Sequence, residues 1–270
     1  MSSAGREVDR GREAAGERQE RVSAETATAA DQVLALNTAA GNRIMVIEGA
    51  YEVEFSLLEC TLTIKARVVP DKKVTSAEVT KVKAETAAAF EQFWDGKFIL
   101  DDTKTNERFF LRVKVKYVDS GGHTRIRLRK GTGRDDQTTW FVDSIPIDRA
   151  HELSHQLGLR DEYIDARVHR RRTAAAKGVF QDHSLLGNYY TEGIANAEVK
   201  LRHGQQLATA IGRASKRKLQ ASLSGPFQGE RLVRWRGIAA AAPAGSDERT
   251  RAEAEVRAIE ADMLIPALTP

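Results

Sequence analysis

Residues 151–161 read HELSHQLGLRD, a stretch in which two histidines stand four positions apart on a predicted helix. Residues at positions i and i+4 lie on the same face of a helix, so the imidazoles of His151 and His155 project to one side. That spacing is typical of two ligands of one tetrahedral zinc ion. Glu152 directly follows the first histidine, where its carboxylate can take a proton from an attacking water. The alternative is a surface helix that carries two unrelated histidines.

The continuation of this motif supplies a third ligand. Gly158 can adopt the left-handed conformation that ends a helix and reverses the chain. Asp161, three positions later, can then return to the metal, and a carboxylate oxygen is an acceptable zinc ligand. The sequence therefore predicts Zn²⁺ held by His151, His155 and Asp161. The fourth coordination position stays open for water, and Glu152 is the predicted catalytic residue.

Other polar residues are alternative members of this site. His183 is an alternative ligand, and Glu162 could replace Asp161 or form an ion pair beside it. His203, on a predicted helix, is interpreted as structural. A tyrosine hydroxyl could stabilise the oxyanion of a reaction, although such residues more often serve packing. The candidates for that role are Tyr163, Tyr189 and Tyr190.

The pattern H-E-x-x-H-x-x-G-x-x-D resembles the metzincin metallopeptidase signature, with Asp161 at the usual third histidine, as in snapalysin-type enzymes. The longer run from His151 to Tyr163 ends in Gly-Leu-Arg-Asp-Glu-Tyr and is similar to bacterial metallopeptidase-like proteins. Some of those proteins are predicted toxins or effectors of contractile injection systems. The resemblance implies the same three ligands and the same general base, and its specific part covers residues 150–163.

Metzincins also carry a methionine-containing turn beneath the metal. The best match in this chain is residues 184–188, which read SLLGN and place Leu186 at the methionine position. Leucine can supply a hydrophobic floor, so this departure is compatible with zinc binding. It is also compatible with an impaired enzyme.

Composition excludes several classes of protein. The 270 residues include one cysteine, Cys60, which rules out an intramolecular disulfide or a cysteine-based zinc cluster and is predicted to be a buried apolar residue. The formal net charge of +4 comes from interspersed charges, which makes nucleic acid an unexpected partner. The densest basic run, residues 167–172, is interpreted as a solvated loop.

Hydropathy bears on the destination of the chain. No apolar run reaches the roughly 20 residues that a membrane span needs. Residues 1–20 lack the apolar segment of a signal peptide. We therefore expect synthesis in the cytoplasm, with any export carried out by a specialised secretion or injection system.

Three regions differ in composition. Residues 1–42 contain few large apolar side chains and are predicted to form a flexible arm, which could contact a secretion or injection apparatus. Residues 43–238 are predicted to form the metallopeptidase-like domain. Residues 239–270 are predicted to be a linker, rich in alanine over 239–245, followed by a charged helix.

The periodicity of apolar residues predicts an α+β fold. Its expected parts are a mixed, largely antiparallel sheet, one backing helix, the motif helix and a mainly helical C-terminal region. Strands are predicted at 44–47, 51–55, 61–69 and 138–142, with a hairpin formed by 109–118 and 124–129. Helices are predicted at 73–94, 147–158, 195–223 and from 247 to about 264.

The leading functional interpretation is a zinc endopeptidase that acts on a protein or peptide substrate as a toxin-like effector. The strand predicted at 138–142 is the candidate edge for pairing with an extended substrate. One alternative is a catalytically impaired component of a secretion or injection apparatus, such as a cargo or plug. Zinc-dependent hydrolysis of a non-peptide amide is another.

Overall fold

The computed structural model describes residues 34–36, 43–47 and 50–264 of the chain. Its strands are β1 (Leu34–Leu36), β2 (Arg43–Ile47), β3 (Tyr51–Phe55), β4 (Glu59–Pro70), β5 (Phe98–Asp102), β6 (Glu107–Tyr117), β7 (Thr124–Arg129), β8 (Thr139–Phe141) and β9 (Leu219–Leu223). Its helices are α1 (Ser76–Trp94), α2 (Pro146–His155), α3 (Tyr189–Glu192), α4 (Leu201–Ser215), α5 (Gly225–Ala241) and α6 (Asp247–Leu264). The predicted arm, residues 1–42, lies outside the described residues except for β1.

The strands form one mixed sheet in the order β1-β2-β3-β4-β6-β5-β9, with β7 paired to β4 and β8 paired to β7. Among the described strands, five pairings are antiparallel and three are parallel. The α+β prediction with a largely antiparallel sheet is therefore confirmed. None of the described helices combines the length and the apolar character needed to cross a membrane.

The predicted hairpin between residues 109–118 and 124–129 is wrong. In the described part of the chain β6 and β7 both run parallel to β4, which has 12 residues and accommodates them one after the other. The register joins Glu59 to Phe110 at the start of β4 and Pro70 to Leu128 at its end. Alternation of apolar residues indicates which face of a strand is buried, but it does not select the neighbouring strand.

Helix α1 is the predicted backing helix, and it begins three residues later than expected. Thr75 caps its first turn: the Thr75 hydroxyl accepts from the Glu78 amide at 3.3 Å, and the Glu78 carboxylate accepts from the Thr75 amide at 2.9 Å. Gly96, at φ +67°, follows the helix end as predicted. The stripe that faces the core consists of Val82, Thr86, Phe90 and Trp94.

The helix predicted over 195–223 is wrong at both ends. The helical part is α4, after which Lys216 adopts a left-handed conformation at φ +57°. Residues 219–223 form β9, which pairs antiparallel with β5, a strand that the sequence analysis did not identify. Apolar residues at 219, 221 and 223 alternate with Gln220 and Ser222, as in a strand. Five residues directly after a helical pattern are too few to distinguish the two-residue period of a strand from the 3.6-residue period of a helix.

Helices α5 and α6 pack on each other at the end of the chain. Their shared cluster contains the buried residues Trp235, Ala252 and Ile259. Because α5 continues through Ala241, the predicted linker is shorter than expected and the predicted domain boundary at 238 falls inside a helix. The preceding part of α5 also packs against the main core through Phe227.

Cys60 is fully buried on β4, as predicted for a small apolar residue. Burial raises the pKa of its thiol well above the usual range. The thiol is therefore protonated at neutral pH, which agrees with a packing role.

We predict that Gly204→Ala destabilises the protein, although alanine is the better helix former. A Cβ atom added to Gly204 on α4 would lie 2.4 Å from a ring carbon of Phe98 on β5. Such overpacking costs about 1–3 kcal/mol, more than the roughly 1 kcal/mol gained in helix propensity.

The matched control is Gly237→Ala on α5, where no atom lies within 4 Å of the added Cβ. That change is expected to stabilise the protein by about 0.5–1 kcal/mol. Urea unfolding midpoints of the two variants measure both effects. Equal stabilisation by both substitutions would show that α4 does not approach β5 at this position.

Candidate metal centre

Buried polar contacts hold the motif helix α2 against α1. The Trp94 indole donates to the Ser154 hydroxyl at 2.9 Å. Arg149 is completely buried and donates to the Thr86 hydroxyl at 2.8 Å and to the Ser144 carbonyl at 2.6 Å. Because buried donors must find acceptors, these bonds fix the rotation of α2 about its own axis.

The predicted ligands come together on α2 and in the turn after it. The Nε2 atoms of His151 and His155 lie 3.1 Å and 3.3 Å from the same oxygen, Oδ1 of Asp161. One ligand atom from each of these three residues lies within 4.8 Å of the others.

Hydrogen bonds on the far side of each ring define its protonation. His151 Nδ1 lies 2.8 Å from the Leu185 carbonyl oxygen, and His155 Nδ1 lies 2.9 Å from the Leu159 carbonyl oxygen. A carbonyl oxygen can only accept, so each Nδ1 carries a proton and Nε2 is the ring nitrogen that faces Asp161 and could bind a metal. Carbonyl groups orient metal-binding histidines in this way.

This donor set fits a zinc ion. Zinc–ligand distances of about 2.0 Å in a tetrahedron place neighbouring ligand atoms about 3.3 Å apart. The observed separations of 3.1 Å and 3.3 Å agree with that value. Three electron-rich atoms facing one another repel unless a cation or a proton lies between them.

The electrostatics of the three residues are mutually dependent. Burial alone would raise the pKa of Asp161, but hydrogen bonds from His151 and His155 hold it far below its usual range. Burial alone would lower the pKa of His155, but the Asp161 carboxylate and the Leu159 carbonyl raise it overall. Asp161 is therefore ionised across the physiological pH range, as a metal ligand must be.

Gly158 produces the chain reversal that the sequence predicts. It has φ +81° and donates its amide to the His155 carbonyl at 2.9 Å. A Cβ added there would meet no atom within 4 Å, so the need for glycine is conformational rather than steric. The turn brings the Leu159 carbonyl and the Asp161 carboxylate back to the histidines, although α2 itself ends at His155 rather than at 158.

Arg171 holds the Asp161 carboxylate in place, a role that its position in the sequence did not indicate. Its guanidinium donates to Asp161 Oδ2 at 3.0 Å and to the Tyr163 carbonyl at 2.9 Å. Its side chain is 13% exposed, so the solvated-loop interpretation of residues 167–172 is wrong at this position. Arginines stand at 170, 171 and 172, and no local pattern distinguishes the one that turns inward.

The candidate methionine-turn segment lies directly against His151. The Leu185 carbonyl accepts from that ring, and Leu186 is completely buried, as expected for a hydrophobic floor. The Leu186 amide donates to the Ser184 hydroxyl at 3.1 Å, and its carbonyl accepts from the Glu162 amide at 2.7 Å. This segment is therefore hydrogen-bonded to the residue that follows Asp161.

Glu162 forms ion pairs beside the site, one of the two roles predicted for it. Its buried carboxylate accepts from Arg202 at 2.7 Å and 2.5 Å and from the Ser184 hydroxyl at 2.5 Å. His203 Nε2 lies 3.1 Å from the same carboxylate, which places this histidine in a structural network as expected. Burial alone would raise the pKa of Glu162, but these partners lower it to about 2.

His183 lies outside the group of three ligands in the described part of the chain. Its ring packs edge-on against Trp235 at 5.1 Å between centroids, and its amide donates to Glu192 at 2.5 Å. Asp161, rather than His183, therefore lies beside the two histidines of the motif.

Two adjoining clefts open onto the ligands and share Glu152 as a lining residue. Their volumes are about 490 Å³ and about 770 Å³. Glu152 Oε2 lies 3.9 Å from His155 Nε2. Burial raises the pKa of Glu152 to about 7, although the two histidines act in the opposite direction. A carboxylate with that pKa can both take and return a proton near neutral pH.

The three candidate tyrosines differ in their hydrogen bonds. The hydroxyls of Tyr189 and Tyr190 both donate to the Asp148 carboxylate at 2.7 Å. The Tyr163 hydroxyl instead accepts from Arg134 at 2.9 Å, which leaves its own proton available for donation. Tyr163 also lines both clefts, so it is the candidate best placed to meet an oxyanion.

The predicted substrate-binding edge at residues 138–142 is not available. The outward amides of β8 donate to side chains, Thr139 to Asp136 at 2.7 Å and Phe141 to Asp135 at 2.8 Å. The outward carbonyls accept from the Asp136 amide at 2.9 Å and from Arg149 at 3.2 Å. An extended peptide would find no unpaired backbone group along this strand.

No protein-family model, curated protein or solved structure matches the chain.

We predict that Glu162 and Glu152 change the free energy of unfolding with pH in opposite directions in the metal-free protein. The pKa of Glu162 falls from 4.5 to about 2 on folding, so its stabilising contribution is present above pH 4.5 and is lost as the pH falls toward 2. The pKa of Glu152 rises from 4.5 to about 7, so stability is greatest below pH 4.5 and declines as the pH rises through 7.

Urea unfolding from pH 3 to pH 8 in the presence of a chelator measures both effects. Glu162→Gln should lose on the order of 2–3 kcal/mol at pH 7 and less at pH 3. Glu152→Gln should be more stable than the wild type at pH 8 and similar to it at pH 4. The same pH profile for both variants would contradict the assigned environments.

Proposed function

We propose that this protein is a zinc-dependent endopeptidase. The observation that carries the proposal is the convergence of the Nε2 atoms of two imidazoles on one oxygen of the Asp161 carboxylate. Both rings are held from behind by carbonyl oxygens at 2.8 Å and 2.9 Å. The same point adjoins two clefts lined by Glu152.

His151, His155 and Asp161 would hold the zinc ion, which when bound supplies a Lewis acid that polarises a carbonyl and acidifies a water. Glu152 takes the proton of the attacking water and passes it to the leaving amine, a transfer for which its raised pKa is suited. Tyr163, held by Arg134, donates its hydroxyl proton toward the developing oxyanion.

The sequence pattern supports peptides as the substrate. Residues 151–161 follow the metzincin-like spacing with aspartate as the third ligand, and residues 158–163 resemble the ending of bacterial metallopeptidase-like proteins. The same resemblance supports the further proposal that the chain is a toxin-like effector delivered by a specialised secretion or contractile injection system. Residues 1–42 would be the segment that contacts the apparatus.

The first prediction from this proposal concerns metal content. Purified, desalted wild-type protein should carry about one zinc per chain, as a single three-ligand site requires. His155→Ala should lose that zinc because two ligands hold it poorly, whereas Glu152→Gln should retain it. Elemental mass spectrometry measures all three proteins.

Hydrolysis of a denatured protein substrate then separates the alternatives. Zinc-loaded wild type should cleave it, and Glu152→Gln should be slower by at least about 100-fold because it lacks the general base. Zinc binding without any cleavage would favour the impaired binding component. Absence of zinc from the wild type, even when zinc is supplied, would overturn the enzyme proposal.

A second prediction concerns Tyr163. Tyr163→Phe should lower kcat by about 100-fold, the usual loss for one oxyanion donor, and should change KM little. Tyr117→Phe is the matched control because Tyr117 lies on β6 and lines neither cleft. Equal losses in both variants would show that Tyr163 has no special part in the reaction.

A further inference from the structure

The cleft beside His151 and Glu152 contains two further acidic residues. Its lining includes Asp135 and Asp148, with the rings of Tyr189 and Tyr190 next to them. These rings lie 5.0 Å apart between centroids, and Tyr190 is 60% exposed. A cationic side chain entering this cleft would meet two carboxylates and two aromatic surfaces close to the predicted catalytic residue.

Neither carboxylate forms an ion pair in the described part of the chain, although the buried Arg149 guanidinium acts electrostatically on both while it donates to Thr86 and to the Ser144 carbonyl. Among the described residues, no lysine, arginine or histidine lies within 4.0 Å of the carboxylate oxygens of Asp135 or Asp148. Arg134 is the cation that lines the cleft, and its guanidinium donates to the Tyr163 hydroxyl. The lining of this cleft therefore contains three carboxylates, those of Asp135, Asp148 and Glu152, against the single guanidinium of Arg134.

Asp135 carries the strongest indication of an absent partner. It is only 5% exposed, and its Oδ1 accepts from the Phe141 amide and the Ser144 hydroxyl. Its Oδ2 is buried without any hydrogen-bond partner. Burial raises the pKa of Asp135 to about 6 although the Arg149 charge acts in the opposite direction, and a further cation in the cleft would offset the remaining cost of burial.

The adjoining larger cleft has the same sign of charge. It is lined by Asp136, Asp161 and Asp165 in addition to the shared Asp135 and Glu152. Arg167 lines it too, but its guanidinium is bound to Asp165 at 3.1 Å. Because Asp161 pairs with Arg171 and is a proposed metal ligand, the unpaired acidic residues of this cleft are Asp136 and the shared Asp135 and Glu152.

We propose that the cleft formed by Asp135, Asp148, Tyr189 and Tyr190 binds a lysine or arginine side chain of the peptide substrate, next to the bond that is cleaved. This inference rests on the proposed function and specifies the substrate class of that site. The aliphatic stem lies along the tyrosine rings, and the charged end meets the carboxylates.

Peptide binding to zinc-loaded Glu152→Gln tests the inference without requiring catalysis. The probes are fluorescent octapeptides of alanine, glycine and serine, with one lysine placed at each position in turn. A second set carries uncharged norleucine in place of lysine. Fluorescence anisotropy should show that at least one lysine peptide binds roughly 10-fold tighter than its norleucine counterpart, the effect expected of a charge-assisted hydrogen bond.

Asp148→Asn, added to Glu152→Gln, should reduce that preference to about twofold or less, because the amide can still accept from both tyrosines but carries no charge. Asp143→Asn is the matched control: it removes the same charge from an exposed residue outside the lining and should leave the preference unchanged. Zinc content of each variant verifies that the site is intact.

The proposal would be overturned if no lysine peptide bound more tightly than its norleucine counterpart, or if both aspartate variants changed the preference equally. The comparison of lysine with norleucine peptides uses a protein with both aspartates of the cleft intact. It therefore tests the proposal even if Asp148→Asn fails to fold. A lysine preference that depends on Asp148, found in a protein that cleaves no peptide, would support this inference while the proposed activity failed.

Discussion

The contact between one oxygen of Asp161 and two imidazole nitrogens constrains most of the structure around it. The Nε2 atoms of His151 and His155 both lie within 3.3 Å of Asp161 Oδ1. Lone pairs on these three atoms repel one another in the absence of a cation or a shared proton. The arrangement persists because each group is held from behind, the rings by backbone carbonyls and the carboxylate by Arg171. Such prearrangement of donors is what binding of a small divalent cation requires.

The positions of the supporting segments follow from this contact. Helix α2 must present His151 and His155 on one side, and the buried bonds of Arg149 and Ser154 to α1 set that orientation. The segment of Leu185 must approach α2 closely enough for its carbonyl to reach the ring of His151. The Ser184 hydroxyl donates to Glu162 and so joins this segment to the Asp161 turn, while Arg202 holds the Glu162 carboxylate in place.

Prediction from sequence succeeded where the determining interactions are local. The fold class, the strands at 51–55 and 61–69, the helix α1 and the return of Asp161 after Gly158 all follow from periodicity, capping and the conformational freedom of glycine. Prediction from sequence failed where the outcome depended on which strand pairs with which. β6 and β7 have the alternation expected of a hairpin, but both pair with β4. β9 has the composition of a helix continuation but completes the sheet beside β5.

The sequence by itself determined the three candidate ligands and the candidate base, because helical spacing and one glycine place them within a span of eleven residues. Only the tertiary structure decided what surrounds them. The Leu185 carbonyl lies 34 residues from His151 in the chain, and Trp94 lies 60 residues from Ser154. Arg171, unlike Arg170 and Arg172, turns inward to bind Asp161. Asp135 and Asp136 bind the outward amides of β8. No local sequence pattern encodes these contacts. Such contacts depend on how whole elements pack, which is set by the burial of the entire core rather than by any one stretch of sequence.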